Sequence, residues 1–343
     1  MGEPLPRLFR GVHRRLDGLN VLGLLLASGV AAFAGLAFAP GAAPPAEAPA
    51  TEGLLPMPDT SCPTPPCRGL RDASGTLISA QPYERIVSGN IVADRLLLEL
   101  LEPGRIAAFS PYASQLPEAH RYANHPHLAA LEDLEGLLAL HPDLFIVNGM
   151  ASRGHVERLR RAGVAVFDLG PMEGLTTLRS NVNTLAQLLA VPARGAALQA
   201  RIDNRVATLG QVERRHRLGA LYVGIHGGKM YGGTVGSSLH DVLSLAGLED
   251  RAAIAFAGWP AYTHEDLLAL DPHVVVTQAG MRATLCHHPG LAGLGACMHP
   301  DRFIELPAPL LTDPGLSVLD AAEALAAALA SRPALQGDAL SPP

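Results

Sequence analysis

Glu135-Gly-Leu-Leu-Ala-Leu-His-Pro-Asp-Leu-Phe-Ile-Val147 is a segment that recurs 130 positions later as Glu265-Asp-Leu-Leu-Ala-Leu-Asp-Pro-His-Val-Val-Val-Thr277. Each copy begins with a glutamate, continues as a short apolar helical run, turns at an X-Pro pair and ends in aliphatic residues. Proline ends the helix, because it lacks a backbone N–H and moves the preceding residue out of the helical region. The aliphatic run is typical of a strand buried on both faces. The repeated unit therefore predicts two similar α/β lobes with a cleft between them.

Strands and helices alternate on both sides of each copy, which is typical of a doubly wound parallel sheet. The fold class predicted is α/β, with two Rossmann-like lobes on central, mostly parallel sheets, a long rigid connecting helix and a ligand cleft between the lobes. A helical connector would permit only small lobe movements. The predicted divisions after residue 70 are an N-terminal lobe 71–175, a helical connector 176–217, a C-terminal lobe 218–333 and a tail 334–343.

The N-terminus has the layout of an export signal. Arginines at 7, 10, 14 and 15 precede a charge-free apolar run, 19–39. A small-x-small site at 32–34 favours cleavage, but the run is also long enough to span a bilayer if it is retained. Residues 1–39 are therefore either a signal peptide or a membrane anchor, and the Pro/Ala-rich stretch 40–70 is a linker. The expected location is the periplasm or cell envelope.

The composition argues against several classes of function. The net charge is −6 and no basic stripe is present, so nucleic acid is not an expected partner. No G-x-S-x-G elbow or reactive-thiol pattern occurs, so the chain is not expected to be an enzyme and no cofactor is assigned.

Four cysteines form two local pairs, Cys62 with Cys67 and Cys286 with Cys297. Export to an oxidising compartment favours two disulfides. The alternative is a metal site, since Cys286-His287-His288 and Cys297-Met298-His299 bring thiolate and imidazole together, although zinc sites usually have tighter spacing.

Ligands of open α/β sheets bind beyond the carboxyl ends of the strands. In a flexible Gly-rich cleft loop, 224–238, His226 is the best histidine candidate and Lys229 could meet an anionic ligand edge. This loop matches neither a Walker loop nor a dinucleotide fingerprint. Trp259, the only tryptophan, suits stacking on a flat macrocycle or catecholate, with packing against the lobe as the alternative. The complete candidate ligand set is Asn90, Tyr112, His226, Lys229, Tyr231, Trp259, Tyr262 and Arg282.

Several segments in order resemble the class III periplasmic substrate-binding proteins, which serve ABC importers of ferric siderophores, haem and cobalamin. They are Asp72-Ala-Ser-Gly-Thr76, Arg85-Ile-Val-Ser88, Leu134-Glu135 with Pro142-Asp143, Ser238-Leu-His-Asp-Val-Leu-Ser-Leu-Ala-Gly247 and 265–276, so the resemblance covers about residues 72 to 330. It implies a monomer that captures a ferric siderophore or a cobalamin-like corrinoid and docks onto an ABC permease with its ATPase. Haem or divalent-metal binding is the alternative, and an envelope-tethered sensor or enzyme is a third hypothesis.

Two further roles follow from the resemblance. In cobalamin-binding members a glutamate on each lobe docks into arginine pockets of the permease, and Glu135 and Glu265 match those glutamates by position. The alternative for both is complementing the helix dipole, at a few tenths of a kcal/mol. Family members also tend to place aromatic contacts near Tyr112, which could stack, donate a hydrogen bond or ligate haem iron. A tryptophan falls near Trp259 in the cobalamin binders.

Overall fold

The computed structural model describes residues 53–149, 151–211, 218–332 and residue 335. The predicted signal or anchor segment 1–39, the first part of the linker and most of the predicted tail lie outside these residues. Among the helices described, none is both long enough and apolar enough to cross a membrane.

A small antiparallel sheet precedes the first lobe, with strands β1 (Leu55–Pro56), β2 (Arg68–Arg71) and β3 (Leu77–Ser79). The turn between β2 and β3 is held by the buried Asp72 carboxylate, which accepts the N–H groups of Ser74 at 3.0 Å and Thr76 at 2.8 Å. The same carboxylate pairs with Arg160 of the first lobe at 2.9 Å. This ion pair fixes the hairpin on the lobe.

The first lobe is a four-stranded parallel sheet with helices between its strands, in the order β5-β4-β6-β7. Side chains alternate between its two faces: Ile146 of β6 enters one core cluster, and Phe145 and Val147 enter the other. The elements are β4 (Ile86–Ser88), α1 (Ile91–Leu100), β5 (Ile106–Ala108), α2 (Leu134–Ala139), β6 (Leu144–Val147), α3 (Arg153–Arg161) and β7 (Ala165–Asp168).

Two helices, α4 (Leu175–Leu188) and α5 (Pro192–Gln211), follow the first lobe. Pro192 is the first residue of α5, where its missing N–H costs nothing. On α4, Leu178, Val182 and Leu185 recur at helical spacing and are all buried. The pair of helices accounts for the stretch in which the sequence carries no strand signal.

The second lobe has the same strand order as the first, β11-β8-β13-β14, again all parallel. A separate antiparallel sheet contains β9, β10 and β12. The elements are β8 (Gly219–Tyr222), β9 (Gly224–His226), β10 (Lys229–Tyr231), α6 (Ser238–Leu245), β11 (Glu249–Asp250), β12 (Ala261–Tyr262), α7 (His264–Leu270), β13 (Val274–Gln278), α8 (Met281–Cys286), α9 (Gly295–Met298), β14 (Phe303–Leu306), α10 (Ala308–Thr312) and α11 (Ser317–Ala330). The predicted fold class is confirmed.

The sequence repeat is also a structural repeat, α2–β6 in one lobe and α7–β13 in the other. His141 and Asp271, each directly before the proline, both adopt the left-handed conformation, with φ of 47° and 35°. In the first lobe Arg85 Nε donates to the Leu140 carbonyl at 3.0 Å. In the second lobe Arg251 Nε donates to the Leu270 carbonyl at 3.4 Å. An arginine therefore satisfies a carbonyl at the end of the helix in each lobe.

Candidate functional site

In each parallel sheet the chain first adds a strand on one side of the starting strand and then crosses over to add the remaining strands on the other side. The gap between the two strands where this change occurs is the topological switch point. The strand order places this point between β4 and β6 in the first lobe and between β8 and β13 in the second. Ligands of such sheets bind in the crevice outside the carboxyl ends of the strands at this point. The candidate site is therefore formed by the segments that follow these strands.

Asn90, predicted as a ligand contact, is the N-cap of α1. Its Oδ1 accepts the N–H of Ala93 at 2.9 Å, and the side chain is buried. Its Nδ2 is buried and has no hydrogen-bond partner within the described chain. Asn90 thus begins the helix directly behind the end of β4.

Tyr112 projects from the segment that follows β5 and is 44% exposed. Its backbone N–H donates to Ser110 Oγ at 3.2 Å, and Ser110 donates its own N–H and hydroxyl to Asp94 of α1 at 2.9 and 2.5 Å. Burial raises the pKa of Asp94 to about 6, although the bonds from Ser110 oppose the rise. Asp94 positions the turn that presents Tyr112. The sequence analysis missed it, because Asp94 is one of three charged residues of this helix and nothing in the sequence distinguishes it from Arg95 and Glu99.

Residues 224–231 form a β-hairpin, whereas the sequence analysis predicted a flexible loop over the whole of 224–238. His226 ends β9, Lys229 begins β10, and the two are paired in register and exposed. Gly227 and Gly228 form the turn with φ of 57° and 75°, the conformation of a tight hairpin turn in which glycine is favoured. Tyr231, at the end of β10, is half-buried. The hairpin fixes these side chains relative to one another.

Trp259 is 54% exposed and lies on the loop before β12. The loop is tied to a neighbouring turn, since Thr234 donates its N–H to Gly258 at 3.0 Å and Gly258 donates to Val235 at 2.8 Å. Val235 is also exposed, at 46%. An exposed indole and an exposed aliphatic side chain therefore lie on two segments that are joined by backbone hydrogen bonds.

The buried Asp250 contacts the neighbouring turn to which this loop is hydrogen-bonded. Its carboxylate accepts the Thr234 hydroxyl at 2.6 Å and lies 2.8 Å from Nδ1 of His240. The hydrogen bond to Asp250 raises the pKa of His240, against the effect of its partial burial. The sequence analysis did not single out this pair, because Asp250 and His240 lie on different elements.

Tyr262, predicted as a ligand contact, is buried in the second lobe at 5% exposure. Its ring meets Phe256 edge-on at 5.4 Å, and its hydroxyl lies so close to Gly232 that a side chain there would overlap it. Burial raises the pKa of the phenol. Tyr262 packs behind the hairpin, in the strand that pairs with β10. It is buried, whereas the sequence analysis expected it on a cleft loop.

Arg282 lies in the first turn of α8 and is half-buried. Its guanidinium carbon stands 5.8 Å from the centre of the Phe303 ring, within cation–π range. Its backbone N–H donates to Glu305 at 3.2 Å. Arg282 is positioned beyond the carboxyl end of β13.

Glu135 and Glu265 occupy the same position in their helices, the second residue of α2 and of α7, and both are exposed. Other residues cap these helices: Asp133 accepts a backbone N–H at 2.9 Å, and Thr263 forms a capping box with Asp266. Neither glutamate has a hydrogen bond or ion pair to any residue that the structure describes. Both carboxylates are therefore available to a partner.

Both predicted disulfides are present, with Sγ–Sγ distances of 2.07 Å for Cys62–Cys67 and 2.09 Å for Cys286–Cys297. The second bridge links α8 to α9 within the second lobe. Because both sulfurs are oxidised, these cysteines offer no thiolates to a metal. Over the described ranges, no group of three or more His, Cys, Asp or Glu side chains is arranged to hold a metal ion.

Known proteins resemble this chain over most of its described length. A family model described as "Periplasmic binding protein" matches residues 86–309. The chain is 26% identical to the cobalamin-binding protein of Halobacterium salinarum over 211 residues, 60% of this chain but only 57% of that relative. It is 24% identical to the vitamin B12-binding protein of Yersinia pestis over 230 residues, 65% of this chain and 77% of the relative. A periplasmic heme binding protein from Pseudomonas aeruginosa matches with a TM-score of 0.61 and 26% identity, over 73% of this chain and 93% of that structure.

Proposed function

The chain belongs to the periplasmic binding protein family, and on this premise we propose that it is the solute-binding component of an ABC importer. The membership confirms the resemblance to class III substrate-binding proteins drawn from the sequence. The family consists of binding proteins, and we extend that property to this chain: it binds its solute and does not transform it. Its proposed place of action is the periplasm or cell envelope. The protein would reach it by export directed by the N-terminal segment.

The proposed ligand is a corrinoid or a ferric siderophore, held between the two lobes. The observation that carries this proposal is the pair of exposed aromatic side chains Tyr112 and Trp259, 44% and 54% exposed, on the segments that follow β5 and β11. Flat ligand faces stack on such rings. His226 and Lys229, both exposed on the hairpin, would add polar contacts, and Tyr231 and Arg282 would complete the set. The relatives that bind cobalamin favour the corrinoid.

Haem is the second candidate. It is favoured by the exposed phenol of Tyr112, since tyrosine is one of the residues that ligate haem iron. Absorbance of the protein purified from its native host separates the candidates, because haem gives a Soret band and a corrinoid does not. Tyr112→Phe keeps the ring for stacking but removes the ligating oxygen. Loss of haem binding in this variant supports haem, whereas unchanged binding of cyanocobalamin supports the corrinoid.

Docking onto the permease would use Glu135 and Glu265. Two unpaired carboxylates at equivalent points of the two lobes offer a partner a matched pair of anionic contacts, the kind that arginine binds in bidentate geometry. Both lobes would then be engaged at once. The partner in this proposal is the ABC permease with its ATPase, and the binding protein acts as a monomer.

Reversal of both charges tests the docking role. Glu135→Arg with Glu265→Arg is expected to abolish import while leaving the Kd for the ligand unchanged, because the glutamates lie outside the proposed ligand set. The control is Glu157→Arg with Glu249→Arg, which changes the net charge equally at one exposed glutamate per lobe outside the repeat. Import that survives in the first double variant would contradict the docking role.

A further inference from the structure

A small cavity lies in the first lobe beside the point between β4 and β6 at which the chain reverses. Its volume is about 80 Å³. Its lining includes Gly89 and Asn148, the residues that directly follow these two strands, which is where sheets of this kind bind ligands. The lining residues that matter for its chemistry are Gly89, Glu132, Phe145, Asn148, Ser152 and His155.

His155, in the first turn of α3, is the unusual member of this lining. Its side chain is only 4% exposed, and neither ring nitrogen has a hydrogen-bond partner among the residues described. The ring meets Phe145 edge-on, with 6.4 Å between the ring centres. Buried polar side chains are nearly always hydrogen-bonded, so an imidazole in the lining of a cavity with two unsatisfied nitrogens requires an explanation.

The chemistry of the cavity restricts what would satisfy this imidazole. Burial and the nearby Arg158 lower the pKa of His155, although Glu132 opposes them, so the ring is neutral at neutral pH, with one donor and one acceptor nitrogen. The Glu132 carboxylate in the lining disfavours an anionic group. The two ring nitrogens point in diverging directions, so one group can meet only one of them. A neutral group that can either donate or accept a hydrogen bond, such as a primary carboxamide or a hydroxyl, matches whichever nitrogen it meets and leaves the other to water. A volume near 80 Å³ is room for about two water-sized groups, or one carboxamide.

We propose that this cavity is a subsite for one uncharged carboxamide- or hydroxyl-bearing arm of the ligand, and that one ring nitrogen of His155 forms a hydrogen bond with that arm. The inference rests on the proposed function and makes its ligand class more specific. A corrinoid carries carboxamide arms around its ring, whereas haem carries carboxylates.

The test is the Kd for cyanocobalamin, measured by calorimetry on the full chain. His155→Leu is expected to bind at least about tenfold more weakly, and to melt at the same or a higher temperature because it removes unsatisfied buried nitrogens. His155→Gln, which keeps a donor and an acceptor, is expected to recover part of the affinity. His120→Leu, which changes an exposed histidine of the same lobe, is the matched control and should leave both values unchanged.

A second measurement does not depend on any variant folding. In the wild type, the ring ¹⁵N resonances of His155 are expected to shift when cyanocobalamin saturates the protein. No shift, or an unchanged Kd in His155→Leu, would overturn the subsite and leave the cavity to solvent alone. A wild type that does not bind cyanocobalamin also overturns it. Parallel titrations with haemin and a ferric siderophore then decide whether the proposed function itself survives.

Discussion

Burial of the Asp94 carboxylate links the protonation of one residue to the turn that carries Tyr112. Asp94 accepts two hydrogen bonds from Ser110, and burial raises its pKa to about 6. The unfolded value is about 3.9. The folded protein therefore binds this proton more tightly, so the contribution of Asp94 to stability is complete below pH 4 and is lost as the pH rises to about 6.

This linkage gives a prediction for Asp94→Asn. The difference between a pKa of about 6 in the folded protein and about 3.9 in the unfolded chain corresponds to about 3 kcal/mol. The free energy of unfolding of the wild type, relative to the variant, is expected to fall by about that amount between pH 4 and pH 7. Urea denaturation across this range measures it, with Asp203→Asn as the control for losing an exposed carboxylate. A difference that does not change with pH would contradict this role of Asp94.

Trp259 gives the sharpest prediction for a single ligand contact. Because the indole is more than half exposed and lies on a hydrogen-bonded loop, Trp259→Ala should weaken ligand binding by at least about 0.5–1.5 kcal/mol without changing the melting temperature. Ile254→Ala, which truncates an even more exposed apolar residue nearby in the chain, should change neither. Equal affinities in the wild type and the tryptophan variant would show that the indole only packs on the surface.

At the scale of elements, the repeat was predictable because its signals are local. Proline after His141 and Asp271 marks the helix ends, and the aliphatic runs that follow are β6 and β13. The hairpin was not predicted, because its strands are three residues each and glycines surround them. The burial of Tyr262 was not predicted for a related reason. It lies in a two-residue strand in which Ala261 is exposed and Tyr262 is buried, and two residues are too few to show an alternating pattern in the sequence.

The Cys286–Cys297 bridge stabilises the second lobe, because it closes a loop of 11 residues between α8 and α9. Loop-closure entropy for this length corresponds to about 3 kcal/mol. Replacing both cysteines by serine should lower the free energy of unfolding by about that amount. Replacing Cys62 and Cys67, which close a loop outside the lobes, is the comparison and should affect the lobes less. Denaturation curves of the two double variants measure the effect, and equal losses would contradict it.

At the scale of the whole molecule, ion pairs join the two lobes. Arg95 of α1 donates to Ser317 at 2.8 Å and to Asp320 at 2.7 Å on α11, and it lies 3.7 Å from the buried Asp313. Burial raises the pKa of Asp313, while Arg95 opposes the rise. Arg205 of the connector helix α5 also pairs with Asp320, at 2.7 Å. These contacts favour the small lobe movement expected from a helical connector.

Removing one partner of this network is expected to be costly. Arg95→Leu leaves the Asp313 charge buried and unpaired, so the free energy of unfolding should fall by about 3 kcal/mol. Adding Asp313→Asn to the same chain should restore part of the loss. A double-mutant cycle from chemical denaturation measures the coupling, and additive effects would show that the two side chains do not stabilise each other. The sequence could not predict this pair, because its members are more than 200 residues apart.

The central claim is that the two lobes together bind a flat metal-chelate ligand. Titration of the wild type with cyanocobalamin, followed by the fluorescence of its only tryptophan, Trp259, tests it most directly. We predict saturable quenching with one ligand per chain. The absence of binding to cyanocobalamin, haemin and a ferric siderophore alike would contradict the claim.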